Sequence, residues 1–150
     1  MELQEAEKLA EEFICEIADY CEKVRIVGSI RRRRPQVKDV DLVLIVRDWF
    51  NFTIKLQQIS RIKIDGEQVK RLTYKGEQID LYLADNKTYE ALTLIRTGSS
   101  QHNIRLAMLA QKKGMKLSHK GLTRNGVVIA STEKEIFEAL DLSYVPPEGR

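Results

Sequence analysis

Apolar residues recur every three or four positions near the start of the chain, and this spacing predicts an amphipathic helix with an acidic outer face. Its apolar positions are Leu3, Ala6, Leu9, Ala10, Phe13, Ile14, Ile17, Ala18 and Cys21. Short apolar runs then predict strands at residues 24–27, 40–46, 69–74 and 78–83. The run 40–46 is almost continuously apolar, which is typical of a central strand covered on both faces.

Helices are predicted at residues 49–59, 88–95, 101–113 and 133–140. Thr132 and Glu135 form a capping box at the start of the last one. The dipeptides Lys75-Gly76 and Asn125-Gly126 predict the turns of two hairpins. Strands and helices are therefore mixed in the first ninety residues, and a helical and hairpin module follows a break at Thr97-Gly98. We expect an α+β fold.

The composition is that of a globular protein of one domain or two small subdomains, with 43% hydrophobic and 31% charged residues in a chain of 150. No apolar run could span a bilayer, and no apolar signal segment is visible at the start. Cys15 and Cys21 lie on the predicted first helix, where their side chains point in different directions. We therefore expect reduced thiols in a cytoplasmic or nucleoid-associated protein that is not secreted.

The net charge of +3 hides a strong asymmetry along the sequence. Residues 1–23 contain eight acids and two lysines, whereas residues 91–132, the acid-free segment, contain no acid at all. The seven cations of this segment are Arg96, Arg105, Lys112, Lys113, Lys116, Lys120 and Arg124. Such a segment is typical of a surface that meets a polyanion, because phosphate neutralisation dominates affinity for nucleic acids.

Three aspartates stand at the starts of apolar strands. Asp39 and Asp41 are two residues apart, so the strand pleat directs both side chains to the same face. Asp80 begins "IDLYL", which has the same pattern as "VDLVL" at Asp41. If the two strands are neighbours, the three carboxylates converge, and a cation is needed to relieve their repulsion. Hard oxygen ligands suit Mg²⁺, and this arrangement suits two ions that grip an in-line phosphoryl displacement.

The preceding segment, "VGSIRRRRPQVKDVD", adds groups that bind anions. Gly28 lets backbone N–H groups approach an anion, and Ser29 offers a hydroxyl donor. Arg31 and Arg32 supply positive charge for phosphates. A Gly-Ser or an Asp-x-Asp alone is a weak signal, but the two in this order, with a further Asp on a later strand, form a much more specific one.

The stretch "GSIRRRRPQVKDVDLVL" resembles the palm signature of the nucleotidyltransferase superfamily and, within it, of the X-family DNA polymerases. The resemblance continues in "IDLYL", "RTGSSQHNIRLAMLAQKKGMKL" and "EKEIFEALDLSYVPPEGR", and it covers about residue 24 to the end. It implies a polymerase beta-like palm with a mixed sheet and flanking helices over residues 1–95. A small α/β C-terminal subdomain over residues 96–150 would bind the nascent base pair and DNA.

The resemblance also implies roles for individual residues. Asp39 and Asp41 would bind both divalent ions, and Asp80 would bind the catalytic ion beside the primer 3′-hydroxyl. The nucleotide-binding residues implied are Gly28, Ser29 and Arg32 at the triphosphate, Thr97 and Gly98 at the sugar, and Asn103 at the base. The DNA-binding residues expected are Arg96, Ser99, His102, Arg105, Lys112 and Lys113.

One departure concerns the two residues before Thr97. Family members often carry an aromatic pair there, which lies against the sugar and helps to reject ribose, whereas this chain has Ile95 and Arg96. The missing ring leads to the hypothesis that ribonucleotides are excluded less strongly.

The expected function is that of a template-directed DNA polymerase that extends a 3′-hydroxyl with two Mg²⁺ ions and releases pyrophosphate, filling gaps in DNA repair. Mn²⁺ is the expected substitute ion. The expected partners are primer–template or gapped DNA and nucleoside triphosphates, with the protein acting as a monomer away from membranes. One alternative is a template-independent nucleotidyltransferase acting on RNA or protein, which Asn103 and the acid-free segment disfavour. Another is a non-catalytic nucleic-acid-binding module, which the three mutually repelling carboxylates disfavour.

Overall fold

The computed structural model describes residues 1–150 and contains two β-sheets with helices packed against them. In chain order the first elements are α1 (Leu3–Ile17), β1 (Cys21–Val27), α2 (Gly28–Arg31), β2 (Val40–Val46), α3 (Trp49–Ile59), β3 (Arg61–Asp65), β4 (Val69–Tyr74) and β5 (Glu77–Leu83). They are followed by α4 (Tyr89–Thr97), α5 (Ser100–Lys112), β6 (Lys116–Ser118), β7 (Gly121–Arg124), β8 (Val127–Ala130) and α6 (Glu133–Ala139). The predicted α+β class is confirmed.

The larger sheet has five strands in the order β1-β2-β5-β4-β3, and only the contact between β2 and β5 is parallel. This order places β2 between β1 and β5, in agreement with its prediction as a central strand. The smaller sheet has the order β6-β7-β8 and is antiparallel throughout.

The larger sheet and the first helix share one hydrophobic core of 16 buried residues. Ala6 and Phe13 from α1 lie in it with Leu42 from β2 and Leu81 from β5, all fully buried. The apolar stripe of α1 therefore faces the sheet, as its periodicity predicts. Burying each large side chain of this kind contributes about 1.5–3 kcal/mol.

A second core of 10 buried residues lies among α4, α5, α6 and the smaller sheet. Ala91 and Leu94 of α4 belong to it, whereas Tyr89 and Leu92 of the same helix pack on Val43 and its neighbours in the larger sheet. The helix α4 thus joins the two parts of the chain. The predicted boundary between the palm and the C-terminal subdomain, between residues 95 and 96, falls inside this helix. The boundary stays a prediction.

The first predicted helix is too long at its C-terminal end. A 3₁₀ turn at Ala18–Tyr20 follows α1, and Cys21 begins strand β1 instead of continuing the helix. Cys21 is buried in the core, where burial raises the pKa of its thiol to about 11, while Cys15 is exposed. Strand pairing of Cys21 with Val46 overrides the helical spacing of the local sequence.

Two strands lie outside the sequence-based predictions. The edge strands β3 and β6 were not predicted, because neither has an apolar run to mark it. Of the three aromatic residues at the start of α3, only Phe52 is buried; Trp49 is 48% exposed and Phe50 is 75% exposed. The buried stripe of α3 is limited to Phe52 and Leu56, one turn apart. No helix has the length and apolar character needed to cross a membrane.

Candidate active site

The parallel pairing of β2 with β5 brings the predicted acids together. In the register of these strands Asp41 lies beside Asp80, so their side chains emerge on the same face of the sheet. Asp39 precedes β2 by one residue and lies two residues before Asp41. The amide nitrogen of Gln78 contacts the Oδ2 of Asp39 at 3.1 Å and both carboxylate oxygens of Asp80 at 3.4 Å. The three aspartates therefore form one cluster, which we call the acid cluster.

The acid cluster has the electrostatic signature of a cation site. Burial, together with repulsion from Asp39 and Asp80, raises the pKa of Asp41 to about 7. Burial, and then the charge of Asp80, also raises the pKa of Asp39. These carboxyls thus hold their negative charges at an energetic cost that a bound dication would remove.

The donor set fits a divalent ion, although the donors are not yet converged around one point. No group of three His, Cys, Asp or Glu side chains is arranged to hold a metal ion, and Asp80 is hydrogen-bonded to its neighbour Arg71. The Nε of Arg71 donates to Asp80 Oδ1 at 2.9 Å, and its Nη2 contacts Oδ2 at 3.4 Å. All the acidic donors of the cluster are carboxylate oxygens, and oxygen atoms are the ligands that Mg²⁺ and Mn²⁺ prefer.

Gly28 packs directly against the acid cluster. It follows β1 with φ +65°, and a Cβ built on it would lie 2.3 Å from the Oδ2 of Asp41. The register of β1 on β2 causes this closeness, because Val27 is the partner of Asp41. Any side chain at residue 28 would therefore displace the carboxylate of Asp41.

The loop after α4 reaches the arginines that follow Gly28. Arg32 donates from Nη1 to the carbonyl oxygen of Thr97, and its Nε is buried without a partner. A Cβ built on Gly98 would lie 2.9 Å from the same Nη1, so the guanidinium packs directly on the backbone of this loop. These contacts bring Gly28, Ser29 and Arg32 next to the predicted sugar-pocket residues Thr97 and Gly98.

Five of the six predicted nucleotide-binding residues, all except Thr97, line one open pocket. It has a volume of about 310 Å³ and is lined by Gly28, Ser29, Arg32, Asp41, Tyr82, Ile95, Arg96, Gly98, Ser100 and Asn103. The side-chain nitrogen of Asn103 donates to the carbonyl of Ile95 at 2.8 Å. Its Oδ1 is buried and has no hydrogen-bond partner, so an acceptor is left over for a donor on a ligand.

Tyr82 supplies an aromatic ring to this pocket, although residues 95 and 96 do not. The guanidinium of Arg96 lies over the Tyr82 ring, 4.1 Å from its centroid. The Tyr82 hydroxyl makes a long contact of 3.5 Å with Asp41 Oδ1. The aromatic ring of this pocket therefore comes from Tyr82 on strand β5 and not from the end of α4. Weaker exclusion of ribonucleotides stays a prediction.

The chain is similar in sequence to known proteins along most of its length. Residues 92–150 match the family model described as the DNA polymerase beta thumb. Repair DNA polymerase X of African swine fever virus (Warthog isolate) is 34% identical over an alignment of 143 residues, and the match covers 83% of this chain and 79% of the viral protein. The chain belongs to the X family of DNA polymerases.

Two cellular relatives are much longer than this chain. DNA polymerase IV of Saccharomyces cerevisiae is 46% identical over an alignment of 120 residues, and the match covers 77% of this chain and 19% of the yeast protein. The DNA polymerase/3′-5′ exonuclease PolX of Bacillus subtilis is 26% identical over an alignment of 132 residues, and the match covers 82% of this chain and 23% of that protein. The predicted family and the prediction of a DNA-directed DNA polymerase are confirmed by these relatives.

In this X-family chain, the predicted DNA-binding residues fall into different environments. Arg105 and Lys112 are exposed on α5, and Lys113, just after it, is paired with Asp141. The Ser99 hydroxyl caps α5 by accepting from the backbone N–H of His102. The His102 ring packs on Phe137, and both of its ring nitrogens are buried without partners. This position does not favour a contact of His102 with DNA.

An ion-pair network that the sequence analysis missed joins the two parts of the X-family fold. Arg31 donates to Glu133 Oε1 at 2.6 Å and to the Thr97 hydroxyl at 2.8 Å. Arg150 donates to the other oxygen of Glu133 at 2.5 Å. Glu133 and Arg150 are both buried. Arg31, expected to contact phosphates, thus links α2 to α6 and to the end of the chain.

Arg71, Gln78 and Tyr82 were also missed, although a signal for Arg71 is present in the sequence. The two-residue turn at Lys75-Gly76 fixes the register of β4 on β5, and this register places Arg71 opposite Asp80. The alternation of the strand gives both side chains the same face. Gln78 and Tyr82 follow from the same alternation, two residues before and after Asp80.

Proposed function

We propose that this X-family polymerase adds nucleotides to a primer 3′-hydroxyl under the direction of a template, in gapped DNA, with two divalent metal ions at the acid cluster. The observation that carries the proposal is the pairing of Asp41 with Asp80 on adjacent parallel strands, with Asp39 on the same side. Supporting observations are the open pocket beside the cluster and the relative named for DNA repair.

Asp39 and Asp41 would hold both ions, and Asp80 would hold the one beside the primer end. When bound, Mg²⁺ or Mn²⁺ would lower the pKa of the attacking hydroxyl and neutralise charge on the phosphates. In the reaction the 3′-hydroxyl would lose its proton to solvent and its oxygen would form a bond to the α-phosphorus. The bond from that phosphorus to the bridging oxygen would break, and pyrophosphate would leave with the electron pair of the broken bond.

The chain's own residues would orient the triphosphate. Gly28 leaves room for a phosphate oxygen near the backbone of α2, and Ser29 adds a hydroxyl donor. Arg32 is fixed at one end by Thr97 and has a free buried N–H, so it would place a fixed charge on the leaving phosphates. The free acceptor of Asn103 would receive a donor from the minor-groove edge of the incoming base.

The DNA would lie along the exposed side of α5 and its neighbouring loops. This part of the chain contains no acid from Ala91 to Thr132, and Arg105 and Lys112 are exposed on it. Ile104 and Met108, 59% and 55% exposed, occupy the same helix and would contact the sugars or base edges between the cations. We expect binding that weakens steeply with salt.

The test is primer extension on a duplex with a one-nucleotide gap, with each nucleotide offered against each template base. The wild type should incorporate the complementary nucleotide preferentially and only with Mg²⁺ or Mn²⁺. Asp41→Asn and Asp80→Asn should each reduce incorporation at least about a thousandfold, whereas Asp65→Asn, at an exposed strand end, should leave it unchanged. Equal incorporation against all template bases would contradict template direction and support the template-independent alternative.

A further inference from the structure

Asp80 is held by an arginine from the neighbouring strand. The guanidinium of Arg71 on β4 contacts both carboxylate oxygens of Asp80 on β5, at 2.9 and 3.4 Å. The two side chains differ greatly in exposure, since the Asp80 side chain is 5% exposed and that of Arg71 is 42% exposed. Asp80 is therefore fixed in the sheet, while the longer Arg71 has solvent into which it can withdraw.

Gln78 extends the same contact to a second acid. Its amide nitrogen donates to Asp39 and reaches both oxygens of Asp80. The lone pairs of Asp80 are thus occupied by N–H donors from two side chains. These are the lone pairs that a divalent ion at the acid cluster needs, and a guanidinium on them competes with the ion both for the oxygens and by charge repulsion.

Arg71 also reduces the net negative charge of the acid cluster. Asp39, Asp41 and Asp80 together carry three negative charges when ionised, and Arg71 neutralises one of them without burying its own charge fully. A cation supplied by the protein keeps the carboxylates close together without an ion, at a lower cost than three unpaired acids.

We propose that Arg71 is a positioning residue that acts as an internal counter-ion: it holds Asp80 in the metal-free protein and must give up at least one of its oxygens before a divalent ion can be bound there. The proposal rests on the acid cluster being the metal site proposed above. The affinity of the Asp80 site for a divalent ion is therefore low in the protein without substrate. It rises when groups of the substrate supply further ligands to the ion.

The experiment measures Mn²⁺ binding to the full chain without nucleotide or DNA, by the paramagnetic resonance signal of free Mn²⁺. Arg71→Gln removes the charge and keeps a donor, and Arg71→Met removes both while keeping length. Both variants should bind Mn²⁺ about tenfold more tightly than the wild type, the factor that one nearby unit charge gives even in a water-like dielectric. Arg71→Lys keeps the charge and should remain within about threefold of the wild type.

The matched control is Arg61→Gln on the next strand, β3, where an exposed arginine makes no ion pair. It should leave Mn²⁺ affinity unchanged. Affinity in Arg71→Gln and Arg71→Met that is equal to or weaker than in the wild type would overturn the proposal. An equal gain in Arg61→Gln would also overturn it, since it would show a general charge effect.

Asp80→Asn and Asp39→Asn separate this inference from the proposed function. If both lose Mn²⁺ binding while the Arg71 variants gain none, the metal site stands and the counter-ion role fails. If both bind Mn²⁺ as the wild type does, the metal site itself is wrong. A second readout is the midpoint of thermal unfolding, which should fall in Arg71→Met without ions and rise more on addition of Mg²⁺ than in the wild type.

Discussion

Gly28 and Asp41 lie so close that a single methyl group at residue 28 would overlap the carboxylate of residue 41, with 2.3 Å between the Cβ and Oδ2. The contact ties the loop that would hold phosphates to the acid that would hold both metal ions. It follows from the antiparallel register of β1 on β2. The register of β1 on β2 thus positions both the proposed phosphate-binding loop and the proposed metal-binding acid.

We therefore expect Gly28→Ala to lower kcat/KM for nucleotide incorporation at least about tenfold, because the methyl group moves Asp41 away from its neighbours. Gly126→Ala is the matched control. Gly126 has a similar positive φ, +78° against +65°, but a Cβ there meets no atom within 4 Å. Both variants carry backbone strain of about 1–2 kcal/mol, so only the overlap distinguishes them. Activities of the two within twofold of each other would contradict this role of Gly28.

Glu133 is expected to stabilise the contact between the two parts of the chain. Glu133→Gln removes the charge that faces Arg31 and the buried Arg150. We expect the free energy of unfolding in urea to fall by about 3 kcal/mol, because two partly or fully buried guanidinium groups lose their counter-ion. Glu138→Gln on the exposed side of the same helix should change it by less than about 0.5 kcal/mol. A similar effect from both substitutions would show that the network contributes nothing.

His102 is expected to make stability depend on pH. Burial, and then the charges of Arg150 and Arg105, lower the pKa of its imidazole below 6.5, with Glu133 acting in the opposite direction. Between this lowered pKa and 6.5, the unfolded chain therefore binds more protons than the folded protein. The stability from this group is complete well above pH 6.5 and is lost as the pH falls from 6.5 through the lowered pKa, with a slope of at most about 1.4 kcal/mol per pH unit.

The measurement compares wild type with His102→Phe, which keeps an aromatic ring against Phe137. Urea unfolding between pH 7.5 and 5 should show a smaller loss of stability in the variant. Curves that stay parallel over the whole range would mean that His102 titrates alike in the folded and unfolded states.

Arg105 is expected to contribute to DNA affinity through charge. Arg105→Ala on the exposed side of α5 should weaken binding of gapped duplex about equally for different sequences. In a plot of the logarithm of DNA affinity against the logarithm of salt concentration, the magnitude of the slope should fall by about 1. Arg61→Ala, which removes an exposed arginine from strand β3, is the control and should change neither quantity. An unchanged slope in Arg105→Ala would place the DNA elsewhere.

Several features were predictable because they depend on residues close together in the chain. The hairpin at Lys75-Gly76 needs only a turn that accepts positive φ at two positions, and both residues adopt it. The capping box of Thr132 and Glu135 is formed as its spacing predicts. Where local signals conflicted with strand pairing, as at Cys21, the prediction was wrong. The exposed strand β3 has no apolar run, and its only local signal is a short alternation of charged residues with Ile62 and Ile64.

The acid cluster required more than local reasoning. Its prediction rested on the assumption that the strands of Asp41 and Asp80 are neighbours, and the parallel pairing of β2 with β5 provides it. Which donors surround Asp80 depends on the adjacent strand β4, whose register in the hairpin places Arg71 opposite Asp80.

The sequence by itself determined the α+β class, most of the helices and strands, the family and the aspartates of the acid cluster. It did so because periodicity, turn residues and motif spacing act over a few residues or recur in a fixed order. Only the tertiary structure decided that Arg31 pairs with Glu133 and not with solvent, that the His102 nitrogens are buried, and that Arg71 holds Asp80. These contacts join residues 9 to 102 positions apart or depend on burial, and the packing of the whole chain sets both.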